Sequence, residues 1–143
     1  MTPSKRVLDY IKTIETLVTP ARHLDADRPN VITGGYGETD PTLVHEGMIV
    51  TDSIAGEWLQ HRVNNLSGKI ILRVRQGQFD AMFDFAYNLG LERLIKSKFY
   101  EFTITNNKLD AVKDLLTYDH SDGIERGGLL GRRCLEAYWY LNS

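Results

Sequence analysis

A single cysteine, Cys134, rules out an internal disulfide and any cysteine-built metal cage. It stands in a helical apolar pattern, which predicts a small buried thiol rather than a nucleophile. The four histidines, His23, His45, His61 and His120, are scattered, with no H-E-x-x-H among them, so neither a metal site nor a cofactor is expected. No excess of positive charge exists either: 17 Lys and Arg against 19 Asp and Glu give a net charge of −2 and a pI near 6.1. The electrostatic footprint of a nucleic-acid binder is missing. Long hydrophobic runs are absent too. VLDYIKTIETLV, near the N-terminus, is broken by Asp9, Lys12 and Glu15, which predicts no signal-peptide core and no membrane span.

What remains, 42% hydrophobic and 25% charged over 143 residues, suffices for one globular domain, residues 1–143, with a core of its own. Thr2 and Pro3 open a first helix whose Leu8, Ile11, Ile14 and Val18 recur at helical spacing, ending near Leu17 ahead of Pro20. Ala21 to Thr39 changes to short polar and β-branched pieces around GGYG, which predicts a twisted hairpin as the one β region. Thr51 or Asp52 caps a helix to about Val63, closed by Asn64 to Gly68. Gln76 to Leu89 carries Phe79, Met82, Phe83, Ala86 and Leu89 on one stripe widened by Ala81 and Phe85, the pattern of a central buried helix stopped by Gly90. Leu91 to Phe102, Leu109 to Tyr118 and a last helix through Leu130, Cys134, Ala137, Tyr138 and Leu141 complete the chain. The fold class is α+β, a mostly helical body with one small β-hairpin lobe facing it across a cleft.

Three chemistries compete for DADRPNVITGGYGET, residues 25–39. An EF-hand count from Asp25 puts Pro29 at a ligand position and Tyr36 where the bidentate Glu belongs, so calcium fails. No Gly-x-x-x-x-Gly-Lys-Ser/Thr surrounds GGYG, so a phosphate cradle fails as well. The third reading pairs this stretch with Glu15. Four residues after Ile11, Glu15 puts a carboxyl group on the apolar face of its helix, a place suited to a general acid, although an ordinary salt bridge at the edge of the stripe fits the spacing too. One carboxyl there and another on a polar hairpin is the pair that glycoside hydrolysis uses, with a hydroxyl such as Thr33 to hold a water. Arg132, Arg133 and Glu136, at helical spacing near the end, read as a solvated charged face.

IKTIE, TGGYGET, QFDAMFDFAYNLG and GGLLGRRCLEAYW, in that order, resemble the first helix, T-I-G-Y-G-H-T turn, central helix and G-L-x-x-R-R-x-x-E segment of the phage-type lysozymes. The resemblance implies a lysozyme-like fold and a muramidase that cuts the β-1,4 link between N-acetylmuramic acid and N-acetylglucosamine in bacterial peptidoglycan. It implies Glu15 as proton donor and Asp27 with Thr33 positioning the attacking water. Tyr36 and Asn88 become sugar-binding residues, and Arg132 or Arg133 a supporting partner of the Glu. It also implies a monomer, held in the host cytoplasm until a holin permeabilises the membrane. A chitinase- or chitosanase-like glycosidase of the same fold, and a non-catalytic wall-binding or particle-structural module, stay open as alternatives. Three positions depart from the family pattern. The Glu15–Asp27 segment is longer, Glu38 stands in place of the usual His, and Gly34 in place of Ile predicts looser apolar packing of the hairpin.

Overall fold

The computed structural model describes every residue except Asp25, Asp27, Asp122, Gly123 and Arg126, and places no side chain at Ser121, Ile124, Glu125 or Gly127. Among the described residues, seven helices and two small antiparallel sheets divide into two compact units, residues 5–65, and residues 1–4 with 66–143.

The first unit begins with α1 (Lys5–Glu15), whose fully buried residues are Val7 and Ile11. Ile14 is 45% exposed and Val18 already belongs to a strand. The buried stripe is therefore Val7–Ile11, continued at the next four-residue step by Glu15, rather than Leu8–Ile11–Ile14–Val18. The helix stops where Thr16 adopts a left-handed φ of 49°, a conformation costly for a β-branched residue and characteristic of sites held for a purpose. Strand β1 (Val18–Arg22) pairs antiparallel with β2 (Thr33–Gly35), Val18 opposite Gly35 and Arg22 opposite Thr33, with an irregularity between. Strand β1 thus starts before the predicted Ala21.

Behind this hairpin lies a small core of Ala21, Val44, Val50 and Ala55, against which Leu17, Ile32, Tyr36, Met48, Ile54 and Trp58 pack. Ala21 exchanges backbone hydrogen bonds with Met48 and Gly47 at 2.8 Å, tying β1 to the loop beyond. Gly34 does not loosen the packing: a Cβ there would come within 3.1–3.2 Å of Val44, Ala21 and Val50. The two valines already fill the space an isoleucine would take.

Helix α2 (Asp52–Lys69) runs from the first unit into the second. Thr51 caps it, its Oγ1 accepting from the Ile54 N–H at 3.2 Å. The polar Asn64–Gly68 stretch does not close it, because buried Val63, Ser67 and Ile70 keep helical spacing and Gln60 Nε2 donates to Asn64 Oδ1 across one turn at 2.9 Å.

The second unit is built on α3 (Gln76–Leu89), buried on every side from Gly77 to Tyr87 and capped by Gly90 at φ 98°. It packs against α7 (Gly127–Leu141) and α4 (Leu91–Lys96), with α5 (Lys98–Ile104) and α6 (Lys108–Leu116) completing the bundle. The predicted single helix from Leu91 to Phe102 breaks at Ser97, which turns to an extended ψ of 150° and caps α5. A two-residue ladder, β3 (His120–Ser121) with β4 (Ile124–Glu125), adds a second β element that the sequence does not signal. Gly77 is indispensable here: a Cβ at this position would collide with the Trp139 carbonyl of α7. Aromatic contacts fill the interior, Phe85 against Phe99 at 5.8 Å and edge-on to Tyr118 at 4.9 Å, and Phe99 against Tyr140 at 5.5 Å.

Helix α7 is oriented differently from its apolar pattern. Cys134 is exposed, not buried, whereas Arg132, Arg133 and Glu136, read as a solvated face, are all buried. Asp84 of α3 explains the inversion: its two oxygens accept from Arg132 Nε and Nη2 at 2.8 Å each, a bidentate pair that lets the charge go inside. Arg133 Nη2 donates to Glu136 Oε1 at 2.6 Å and to Asn88 Oδ1 at 3.0 Å, and its guanidinium lies 5.2 Å from the Phe85 ring centre.

The Glu136 carboxyl receives no N–H at its other oxygen. Burial pushes its pKa well above the ordinary 4.5; Arg133 opposes the shift, and the neighbouring Asp84 carboxylate reinforces it. Burial beside a second carboxyl thus biases Glu136 toward its protonated form. The folded pKa being the higher one, the associated stability is fully present below the unfolded value near 4.5 and is lost as pH rises toward the folded value, by at most about 1.4 kcal/mol per pH unit. Glu136→Gln keeps an acceptor for Arg133 and a donor for Asp84 without the titration. Its stability relative to wild type is expected to match near pH 4 and to gain as pH rises above 4.5 toward the folded pKa, as read from urea midpoints. A pH-independent difference would show that Glu136 does not hold the proton.

Candidate active site

Glu15 is the last residue of α1 and is half-buried. Its position follows from the end of the helix: β1 begins three residues later and pairs with β2, which carries Thr33. The helix end and the hairpin are therefore joined by the shortest route the chain allows. Beyond β2 the chain turns through Tyr36 and Gly37, closing with reciprocal 2.9 Å hydrogen bonds between Gly34 and Glu38. Gly37 adopts φ 89°, open to glycine and strained for other residues. The turn meets the carboxyl here: Glu15 Oε2 lies 3.5 Å, and Arg62 Nη1 4.0 Å, from the point a Gly37 Cβ would occupy. Arg62 Nη1 also donates to the Gly37 carbonyl oxygen at 3.2 Å.

Thr33 is buried at the start of β2. Tyr36 is half-buried, packed on the hairpin core. Asp27 lies outside the described residues. Asn88, Arg132 and Arg133 belong to the other unit, where Arg133 fixes the Asn88 amide and Arg132 holds Asp84. The structure thus brings Glu15, the Gly37 turn and Arg62 together within one unit. Among the described residues no group of three His, Cys, Asp or Glu side chains could hold a metal ion, and no helix is long and apolar enough to cross a membrane. His23, His45, His61 and His120 are all exposed.

Arg62 escaped the sequence reading, although a signal existed. It stands four residues after Trp58 and eight after Ile54, on the helix face that covers the hairpin core. Glu38 was legible only as a departure. Its Oε1 accepts from the backbone N–H groups of Thr39 and Asp40, both at 3.0 Å, so it anchors the chain leaving the hairpin through the backbone rather than through an ion pair. Glu38→Ala is expected to destabilise the protein by about 1 kcal/mol, while Glu38→Gln, which keeps the accepting oxygen, stays within about 0.5 kcal/mol of wild type. Equal losses in thermal unfolding would assign the effect to charge instead.

The phage lysozyme family model matches residues 14–136. The endolysin of Bacillus phage B103 is 30% identical over 147 residues, an alignment spanning all of this chain and 55% of that protein; the chain spans about half the length of this curated relative. Among solved structures, the endolysin from Escherichia coli O157:H7 phage FAHEc1 is similar with a TM-score of 0.83 at 28% identity, covering 99% of this chain and 94% of that one. The muramidase domain of SpmX from Asticaccaulis excentricus has a TM-score of 0.84 at 24% identity over 96% of both chains, a likeness of fold.

Proposed function

The chain belongs to the phage lysozyme family and has its mostly helical fold with a small antiparallel sheet, and on that premise we propose that it is an endolysin-type muramidase that hydrolyses bacterial peptidoglycan. The observation that carries this reading is the Glu15 carboxyl at the end of α1, against the Gly37 turn of the hairpin. In the proposed reaction Glu15 gives its proton to the glycosidic oxygen as the bond from that oxygen to the anomeric carbon of N-acetylmuramic acid breaks. A water held by Asp27 and the Thr33 hydroxyl attacks the same carbon from the opposite face and yields a proton to Asp27, inverting the configuration. The products are a new reducing end on N-acetylmuramic acid and a free 4-hydroxyl on N-acetylglucosamine. Tyr36 and Asn88 contact the sugars, and Arg133 supports the site by orienting the Asn88 amide, with Arg132 holding α7 to Asp84. The protein acts as a monomer, reaching the wall from the host cytoplasm after a holin has opened the membrane.

Purified sacculi digested with the protein, reduced with borohydride and analysed by mass spectrometry should yield fragments ending in N-acetylmuramitol. Ends in N-acetylglucosaminitol would make it a glucosaminidase. Cleavage of chitin oligomers with sacculi left intact would move it to chitin-type substrates, and pelleting with the wall without release of fragments would make it a binding module.

A further inference from the structure

We propose that Arg62 is the positioning residue of this active site, fixing the Gly37 turn on which the Glu15 carboxyl rests and stabilising the negative charge that Glu15 acquires as it gives up its proton. The inference rests on the reading of Glu15 as general acid. Three observations converge on it. Arg62 Nη1 donates to the Gly37 carbonyl at 3.2 Å, so helix α2 fixes one end of a peptide whose N–H the hairpin holds through Gly34 at 2.9 Å. Glu15 Oε2 and Arg62 Nη1 border the same point beside Gly37, 3.5 and 4.0 Å from it, so the two atoms are at most the sum, 7.5 Å, apart. The left-handed Gly37 carries no side chain to separate them.

The chemistry needs such a group. A general acid enters the reaction with its proton and is largely anionic in the transition state, and in the proposed reaction that acid is Glu15. A fixed cation alongside therefore interacts more strongly with the transition state than with the ground state, and such an interaction raises kcat while leaving substrate binding little changed. Because Arg62 is half-buried on rigid α2, its charge is less screened than one on the surface would be.

The test uses soluble glycan oligomers from peptidoglycan as substrate, with wild type, Arg62→Ala, Arg62→Lys and Glu15→Gln measured side by side. Arg62→Ala is expected to lose about 10- to 100-fold in kcat with KM within about twofold. Arg62→Lys, which restores a charge without the planar fork, is expected to recover part of that loss. In ¹⁵N-labelled protein the Glu38 amide nitrogen, bonded to the Gly37 carbonyl carbon, should shift in Arg62→Ala and return toward its wild-type position in Arg62→Lys. Wild-type kcat in a folded Arg62→Ala would overturn the proposal, as would a loss confined to KM or an unmoved Glu38 signal. Should Arg62→Ala fail to fold, the longer neutral side chain of Arg62→Gln takes its place: a lowered kcat with KM kept and a shifted Glu38 signal sustain the proposal, and a wild-type kcat overturns it. An active Glu15→Gln would instead remove the general-acid reading itself, whatever Arg62 does.

Discussion

Replacing Glu15 by glutamine is expected to abolish wall lysis and leave the protein folded. The amide has the shape of the carboxyl and no proton acidic enough for a glycosidic oxygen, so the loss is that of the general acid, about 10²- to 10⁴-fold in rate. Stability should not suffer. The amide has nearly the size and polarity of the carboxyl it replaces at the end of α1, so the change in stability is expected to stay within about 0.5 kcal/mol. Clearing of outer-membrane-permeabilised Gram-negative cells measures the first effect and thermal unfolding by circular dichroism the second. Clearing at the wild-type rate by folded Glu15→Gln would remove Glu15 from the chemistry. Asp27→Asn is expected to cut the rate severely through the other half of the reaction, by leaving the water without a base.

The parts of this molecule legible in its sequence are those where one element alone determines the outcome. Helix α3 carries a wide apolar stripe of Phe, Met and Ala and ends at a glycine, so no other element is needed to place it at the centre. The first helix is harder, because Ile11 belongs equally to a stripe through Val7 and to one through Leu8 and Ile14; only the neighbouring structure decides, and it covers Val7. Strand β1 was hidden for a related reason. Leu17 and Val18 prolong the helical pattern, and the break is a backbone event at Thr16 that no propensity encodes. Glu15 and Thr33 stand out in the sequence because a carboxyl on an apolar face and a hydroxyl beside a Gly-rich turn are anomalies of pattern. Arg62 is an ordinary residue on an ordinary helix until the hairpin turn comes up against it.

The same limit explains α7, where the buried cluster yields the largest expected effect on stability. Arg132→Met is expected to cost about 3–5 kcal/mol, because Asp84, fully buried with both oxygens given to Arg132, would be left as an uncompensated interior charge. Periodicity put Cys134 inside and the arginines outside, since it treats charge as solvent-seeking and cannot see a carboxylate 48 residues away. The cost belongs to the broken pair rather than to the polar residues themselves. The double variant Arg132→Met with Asp84→Leu is therefore expected to recover most of the loss, apolar groups of similar volume replacing a pair whose desolvation nearly cancels its attraction. Urea unfolding of wild type, both single variants and the double variant closes the cycle. A single Arg132→Met within about 1 kcal/mol of wild type would mean that the buried pair does not carry the interior charge that its bidentate geometry implies.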